Sequence, residues 1–128
     1  MTTATIFVCI SCRRSLGDGE ELFDQPGRGL VEAIEARLTG DSHRRLVVSG
    51  VDCLAVCKRP CTIALSAANK WTYLIGDLDP DRQVDEIVAA ARSFAASETG
   101  IVPWRERPAS FRKGVIARVP PVGHEELK

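Results

Sequence analysis

Hydrophobic and polar positions follow two different periods along the chain, and their order predicts an α/β fold. A β-branched and aromatic run over residues 5–9 predicts a first strand, and apolar side chains at helical spacing over 30–38 predict a helix. A second strand is expected over residues 45–51. Residues 61–67 and 71–76 are expected to form a hairpin around an Ala-Asn-Lys turn.

A second helix is predicted from Asp79-Pro80, because Asp79 can cap it and proline suits the first helical position. After Gly100 four prolines break the pattern, so the tail is expected to be irregular. The order predicts an α/β domain of β-α-β-β-β-α order with a mixed sheet over residues 1–98, and a basic, proline-containing tail over 99–128. The predicted apolar face of the second helix comprises Val84, Ile87, Val88, Ala91, Phe94 and Ala95.

Composition and charge argue against several classes of function. The 128 residues suit one domain, and 17 basic residues balance 17 acidic ones. No overall field therefore directs the chain to nucleic acid or to an anionic membrane. The first residues lack a signal peptide's apolar core, and no run approaches the ~18 apolar residues of a membrane span. The protein is therefore expected in the cytoplasm, where thiols stay reduced.

Five cysteines in a reducing compartment indicate metal ligands or redox chemistry more than structural disulfides. Cys9 and Cys12 directly follow the first strand, and Cys53 and Cys57 directly follow the second. Parallel neighbouring strands end at the same edge of a sheet, so their loops should lie side by side and four thiolates can converge. Soft thiolates in such a set select an iron–sulfur cluster or zinc.

Cys61 has a different pattern from the other four cysteines. It begins the predicted third strand and shares one face with Ile63 and Leu65, which favours packing in the core. It lies only four residues beyond Cys57, however, so it could also replace Cys12 as a ligand.

Several segments in order resemble the thioredoxin-like [2Fe–2S] ferredoxins. The resemblance covers residues 5–95 and is carried by Cys9 after the first strand, Cys53-Leu-Ala-Val-Cys57, Cys61-Thr-Ile-Ala-Leu65, the hairpin exit around Asp77-Leu-Asp-Pro80, and Val84-Asp-Glu-Ile-Val88. It implies a [2Fe–2S] cluster held by Cys9, Cys12, Cys53 and Cys57. The family's first cysteine pair is widely spaced in a long loop, whereas Cys12 comes soon after Cys9 here, which leaves Cys12 and Cys61 open as the fourth ligand.

The whole chain, including its tail, is similar to a bacterial family of predicted metal-binding proteins. Residues 104–108 and 118–121 carry that similarity, and some members of the family are associated with cobalamin biosynthesis. The two resemblances together imply an electron carrier that serves a redox protein partner, and the second suggests a reductive step on a corrin as its context. They also imply a homodimer, for which Trp71-Thr72-Tyr73 on an expected edge strand offers a surface.

Three alternatives from other classes stay open. Zinc in a structural or metal-handling protein would suit four thiolates equally well. A thiol–disulfide oxidoreductase would use Cys9 and Cys12, although a glycine-rich loop follows Cys12 where a helix N-terminus would lower a thiol pKa. A binding module would use the tail, whose residues 101–120 hold five basic side chains and one acidic side chain. No nucleophile–base set is visible, so the chain is not expected to be an enzyme.

Overall fold

A computed structural model describes residues 3–11, 26–39, 46–55, 61–79 and 81–123, and the backbone of 14–15 and 23–24. Within these ranges the helices are α1 (Gly27–Leu38), α2 (Val84–Ala96) and α3 (Ser110–Lys113), with a 3₁₀ turn at Trp104–Glu106. The strands are β1 (Ala4–Cys9), β2 (Arg14–Ser15), β3 (Phe23–Asp24), β4 (Leu46–Val51), β5 (Ile63–Ser66), β6 (Thr72–Ile75) and β7 (Val115–Val119).

One mixed sheet organises the molecule, in the strand order β4-β1-β5-β6-β7. β1 and β4 are parallel, because α1 carries the chain back across the sheet between them, and the other neighbouring pairs are antiparallel. β2 and β3 form a separate antiparallel pair. The predicted β-α-β-β-β-α order is therefore confirmed, as is the mixed sheet.

The two long helices cover one face of this sheet, since α1 and α2 contact each other and each contacts β1 and β4. Side chains alternate along β1, so Ile6 and Val8 enter the apolar core. Thr5, Phe7 and Cys9 belong to the opposite face, which α1 and α2 leave uncovered and which is called the helix-free face for that reason. The predicted apolar faces of the helices are confirmed. Their buried residues are Leu30, Ile34 and Leu38 in α1, and Val84, Ile87, Val88, Ala90, Ala91 and Phe94 in α2.

The predicted start of the second helix was wrong by several residues, because α2 begins only at Val84. Asp79 instead organises a turn that precedes the helix. Its carboxylate accepts the Asp81 N–H at 2.9 Å, and its carbonyl accepts the Gln83 N–H at 2.9 Å. The Gln83 side chain returns to the Asp79 N–H at 2.7 Å, so the cap-forming groups are used up within the turn. Pro80 lies outside the described residues.

The C-terminal tail is more ordered than its prolines predicted. β7 pairs with β6, and Val102 and Phe111 enter the apolar core at 5% and 3% exposure. Tyr73 ties the tail to the sheet, because its hydroxyl accepts the Val102 N–H at 3.1 Å and the Arg107 guanidinium N–H at 3.2 Å. Residues after 98 thus complete the same sheet. The division of the chain into a domain over 1–98 and a tail over 99–128 stays a prediction.

The pairing of β7 also corrects the expected edge strand. β6 lies inside the sheet between β5 and β7, and Tyr73 is 2% exposed. The chain's own tail therefore covers the edge that was expected to form a homodimer. The tail can pair there because the five residues of β7 lie between Pro108 and Pro120 and contain no proline. Among the described residues, no helix is long and apolar enough to cross a membrane.

Candidate metal centre

The ends of β1 and β4 bring the two cysteine-bearing segments together. Cys9 is in register with Val51, and the Ile10 N–H donates to the Val51 carbonyl at 2.9 Å, which continues the parallel ladder beyond the strands. Cys53 therefore lies two residues beyond Val51, the residue that pairs with Cys9. The prediction that the segments after the two strands lie side by side is confirmed for their first residues.

Cys9 is fully buried at this end of the sheet. Its backbone N–H donates to the Thr62 carbonyl at 3.1 Å, and its Sγ lies 3.8 Å from the Ser11 Oγ. Thr62 is fully buried beside it. Because Cys9 belongs to the helix-free face, its burial is separate from the apolar core that the helices form.

Cys53 has the opposite exposure, and its sulfur accepts a backbone hydrogen bond. The side chain is exposed, and the Ala55 N–H donates to the Cys53 Sγ at 3.1 Å. Ala55 has a φ of 63°, in the left-handed region that residues with a Cβ seldom adopt. An amide that points at a cysteine sulfur stabilises negative charge there, as the thiolate ligands of a metal require.

The start of α1 lies against the backbone of Cys9, a contact that the sequence did not predict. A Cβ on Gly27 would collide with the Cys9 carbonyl oxygen and come within 2.7 Å of the Ile10 Cα. The helix begins at Gly27 without a side-chain cap. The sequence predicted that no helix begins directly after Cys12, and the structure adds that the N-terminus of α1 lies against the backbone of Cys9.

Cys61 packs in the apolar core, as its alternation with Ile63 and Leu65 predicted. It is fully buried, and its backbone exchanges two hydrogen bonds with Leu78, at 3.2 and 3.1 Å. Alternation across the sheet assigns Cys61 to the helix-covered face and Cys9 to the other face. The structure thus separates these two cysteines.

The remaining predicted ligands, Cys12 and Cys57, lie outside the described residues. Within the part of the chain that the structure describes, no three His, Cys, Asp or Glu side chains are grouped so that they could hold a metal ion. The four-cysteine ligand set stays a prediction. Sequence reasoning missed Gly27 and Ala55, and alanine in particular gives no signal of a left-handed conformation.

Comparison with solved structures identifies a close match in architecture. A thioredoxin-like [2Fe-2S] ferredoxin from Aquifex aeolicus superposes with a TM-score of 0.60 at 19% sequence identity, and the match covers 96% of this chain and 98% of that chain. At this identity the similarity shows the thioredoxin-like fold, which was predicted. No curated protein matches the chain. Residues 6–121 match the family described as "Protein of unknown function (DUF1636)", and the chain belongs to that family.

Proposed function

We propose that the protein is a [2Fe–2S] electron-transfer protein of the cytoplasm, rather than an enzyme. The observation that carries the proposal is the hydrogen bond from the Ala55 N–H to the Cys53 Sγ, in the segment beside Cys9. A neutral thiol is a weak acceptor, whereas a metal-bound thiolate gains much more from the same amide. The similarity in fold to a [2Fe-2S] ferredoxin supports the same conclusion.

The residues that the structure describes fit such a cluster in chemistry and in position. Cys9 and Cys53 follow neighbouring parallel strands, and soft thiolates are the ligands of iron–sulfur clusters. Cys12 and Cys57 would complete the set from the sequence. Cys61 belongs to the apolar core on the other face of the sheet, so Cys12 is the better fourth ligand.

When bound, the cluster would supply one-electron chemistry. The protein's part is to hold and shield it. Burial of Cys9 would exclude water on the sheet side, and exposure of Cys53 would leave one edge open toward a partner. The Ala55 amide would favour the anionic sulfur and fix its direction.

A redox partner with an acidic surface would suit the tail. Trp104 is 58% exposed, and the guanidinium groups of Arg107 and Arg112 lie 5.8 and 5.9 Å from its ring centroid. Among the described residues, Arg105, Arg107 and Arg112 form no ion pair with a carboxylate. Unneutralised arginines around an exposed tryptophan are typical of interface hot spots, and their charge would speed association with an acidic protein.

The homodimer and the corrin pathway stay predictions from resemblance. The edge-strand argument for the dimer no longer holds, because β7 covers β6. No described residue bears on a corrin substrate.

Anaerobic reconstitution of the full chain with iron and sulfide tests the proposal. We expect about two irons and two sulfides per chain, with visible thiolate-to-iron charge-transfer absorption, as the four-thiolate cluster requires. A colourless chain that holds one zinc after the same treatment would replace the proposal with the zinc alternative.

Thiol–disulfide exchange is the weaker alternative, even though α1 begins beside Cys9. The attacking thiolate in such a reaction must reach the other protein's disulfide, and Cys9 is fully buried. Catalytic reduction of insulin disulfides by the cluster-free chain would overturn this argument.

A further inference from the structure

We propose that the outer edge of β4 is a docking surface for a second copy of this chain, which adds its own β4 to the sheet as an antiparallel neighbour. The inference needs no metal and does not rest on the proposed electron transfer, because the sheet alone carries it. β7 covers the edge that was expected to form a homodimer, whereas β4 lies at the other edge of the same sheet.

The two edges of the sheet differ in how they are protected against pairing with another chain. β7 contains Arg118, is followed by Pro120, and its register with β6 shifts between Leu74 and Ile75. Charged residues, prolines and bulges are the features by which natural edge strands avoid such pairing. β4 has none of them, because its six residues are uncharged, contain no proline and keep an unbroken register with β1.

The outer side of β4 carries a row of open backbone groups. The Ile10 N–H donates to the Val51 carbonyl, so Val51 directs its own N–H and C=O toward β1. These directions alternate along a strand, and Leu46, Val48 and Gly50 therefore direct their N–H and C=O groups away from β1. In the part of the chain that the structure describes, no backbone hydrogen bond reaches these three residues from the outer side. β4 is thus ready to accept a further strand.

A second copy of the chain brings an edge with the complementary pattern. A twofold axis at Val48 places this residue opposite its own equivalent, and Leu46 opposite Gly50 of the partner subunit, so that outward groups meet outward groups. Because β4 is uncharged, this pairing brings no like charges together within the strand. Val47, which is 47% exposed, would lie beside Ser49 of the partner subunit and lose part of that exposure. Each copy has one unprotected edge, so the assembly closes at two chains.

Two exposed valines provide a variant and its matched control. Val47→Lys places a charge on β4, and the pairing sets the two new ammonium groups one diagonal step apart on the same face. Val119→Lys makes the same change on β7, at the protected edge. Val47 and Val119 are 47% and 53% exposed, and the register across the sheet assigns both to the helix-free face. Neither change reaches the apolar core, so both variants should fold.

Sedimentation equilibrium of the reduced, full-length chain over a concentration series measures the assembly. We expect a dimer, and we expect Val47→Lys to raise its dissociation constant by about tenfold or more, because like charges brought together at an interface are unfavourable. Val119→Lys should leave the constant unchanged. Amide hydrogen exchange of the parent chain should slow with rising concentration at Leu46, Val48 and Gly50. The amides of Val47 and Ser49, which face β1, should show no such dependence.

Every other outcome would overturn the inference. A chain that stays monomeric at all concentrations would leave the edge without this occupant, and equal effects of Val47→Lys and Val119→Lys would place the contact elsewhere. Growth beyond two copies would contradict the twofold pairing. Exchange at Leu46, Val48 and Gly50 that does not depend on concentration would do the same, even if Val47→Lys failed to fold. Cluster assembly with iron and sulfide tests the electron-transfer proposal separately, so the two can fail independently.

Discussion

Cys53 and Cys61 lie at the same end of the sheet, but their surroundings differ in every respect that matters for chemistry. Cys61 is fully buried among apolar side chains on the helix-covered face. Cys53 is exposed and accepts a backbone amide at its sulfur. A buried cysteine behaves as a small hydrophobic residue. An N–H group that donates a hydrogen bond to a cysteine sulfur, in contrast, stabilises negative charge on that sulfur. Two cysteines only eight positions apart in the sequence therefore have different surroundings.

The two faces of the sheet explain this difference. On the helix-covered face, Cys61 belongs to the apolar core together with residues of α1, α2 and the tail. On the other face, Cys9 is buried without joining that core, beside the segment that carries Cys53. The topology therefore brings one cysteine of the apolar core and the segments that carry Cys9 and Cys53 to a single end of the sheet.

Removal of the Cys53 sulfur is expected to have the largest effect of the substitutions that distinguish Cys53 from Cys61. We expect Cys53→Ser to abolish the reconstituted cluster, because a hydroxyl is a much poorer iron ligand than a thiolate. Iron and sulfide content together with visible absorption provide the measurement. A full and stable cluster in Cys53→Ser would mean that the ligand set is wrong.

Gly27→Ala should have the next largest effect. Its new methyl group would meet the Cys9 carbonyl and the Ile10 Cα, which are backbone atoms that cannot swing aside. We expect a loss of about 1–3 kcal/mol in unfolding free energy, the usual cost of overpacking, and a weaker cluster. Chemical denaturation and cluster content measure the two effects.

Gly29→Ala is the matched control on the same helix, since no atom lies within 4 Å of its added Cβ. This variant should gain about 0.5–1 kcal/mol from reduced backbone freedom in the unfolded chain. Equal destabilisation of the two variants would show that the contact at Cys9 is unimportant.

Cys61→Ser tests whether the cysteine on the helix-covered face serves the core or the cluster. Exchange of the buried thiol for a more polar hydroxyl should cost about 1–3 kcal/mol of stability, measured by chemical denaturation. The cluster spectrum and the iron content should stay as in the parent chain. Loss of the cluster at a denaturant concentration where the chain is still folded would instead make Cys61 a ligand.

The smallest expected effect concerns the charge of the tail. Arg112→Gln should slow oxidation of the reduced protein by ferricyanide about threefold at low salt, and speed oxidation by hexaammineruthenium, because a positive charge attracts the anion. Stopped-flow rates at two salt concentrations measure this, and high salt should remove the difference. Truncation after Gly100 would not isolate the effect of the tail's charge, because it would also remove Phe111 from the core and β7 from the sheet.

Arg37→Gln is the control for this experiment. Arg37 lies on α1 and pairs with Asp85 at 2.8 Å, so its charge is already partly balanced. Equal changes in Arg112→Gln and Arg37→Gln would show that overall charge, and no particular surface, governs the rates.

Much of the fold could be predicted because it depends on local patterns. The period of Leu30, Ile34 and Leu38 marks the core face of α1 wherever the helix lies, and the strands of the hairpin are set by alternation around a tight turn. The start of α2 was missed because Asp79 and Gln83 satisfy each other in a turn that sequence alone does not separate from a cap.

The tail shows what local patterns leave out. Its strand β7 depends on an edge that β6 offers, and its anchor Phe111 depends on a cavity between α2 and the sheet. Trp104, in contrast, is 58% exposed. Lys70 is equally unexpected, since it is 7% exposed and its ammonium group donates to the Phe94 carbonyl at the end of α2. Such contacts join residues far apart in the chain.

By itself, the sequence determined the order of the elements, the apolar faces and the two cysteine pairs that follow parallel strands, because each depends on residue type and spacing along a short stretch. Only the tertiary structure decided that Cys9 is fully buried without joining the apolar core that contains Cys61. It also decided that α1 begins against Cys9 and that the Ala55 amide meets the Cys53 sulfur. These contacts depend on distances between separate segments or on backbone torsion angles, and neither is encoded in residue type alone.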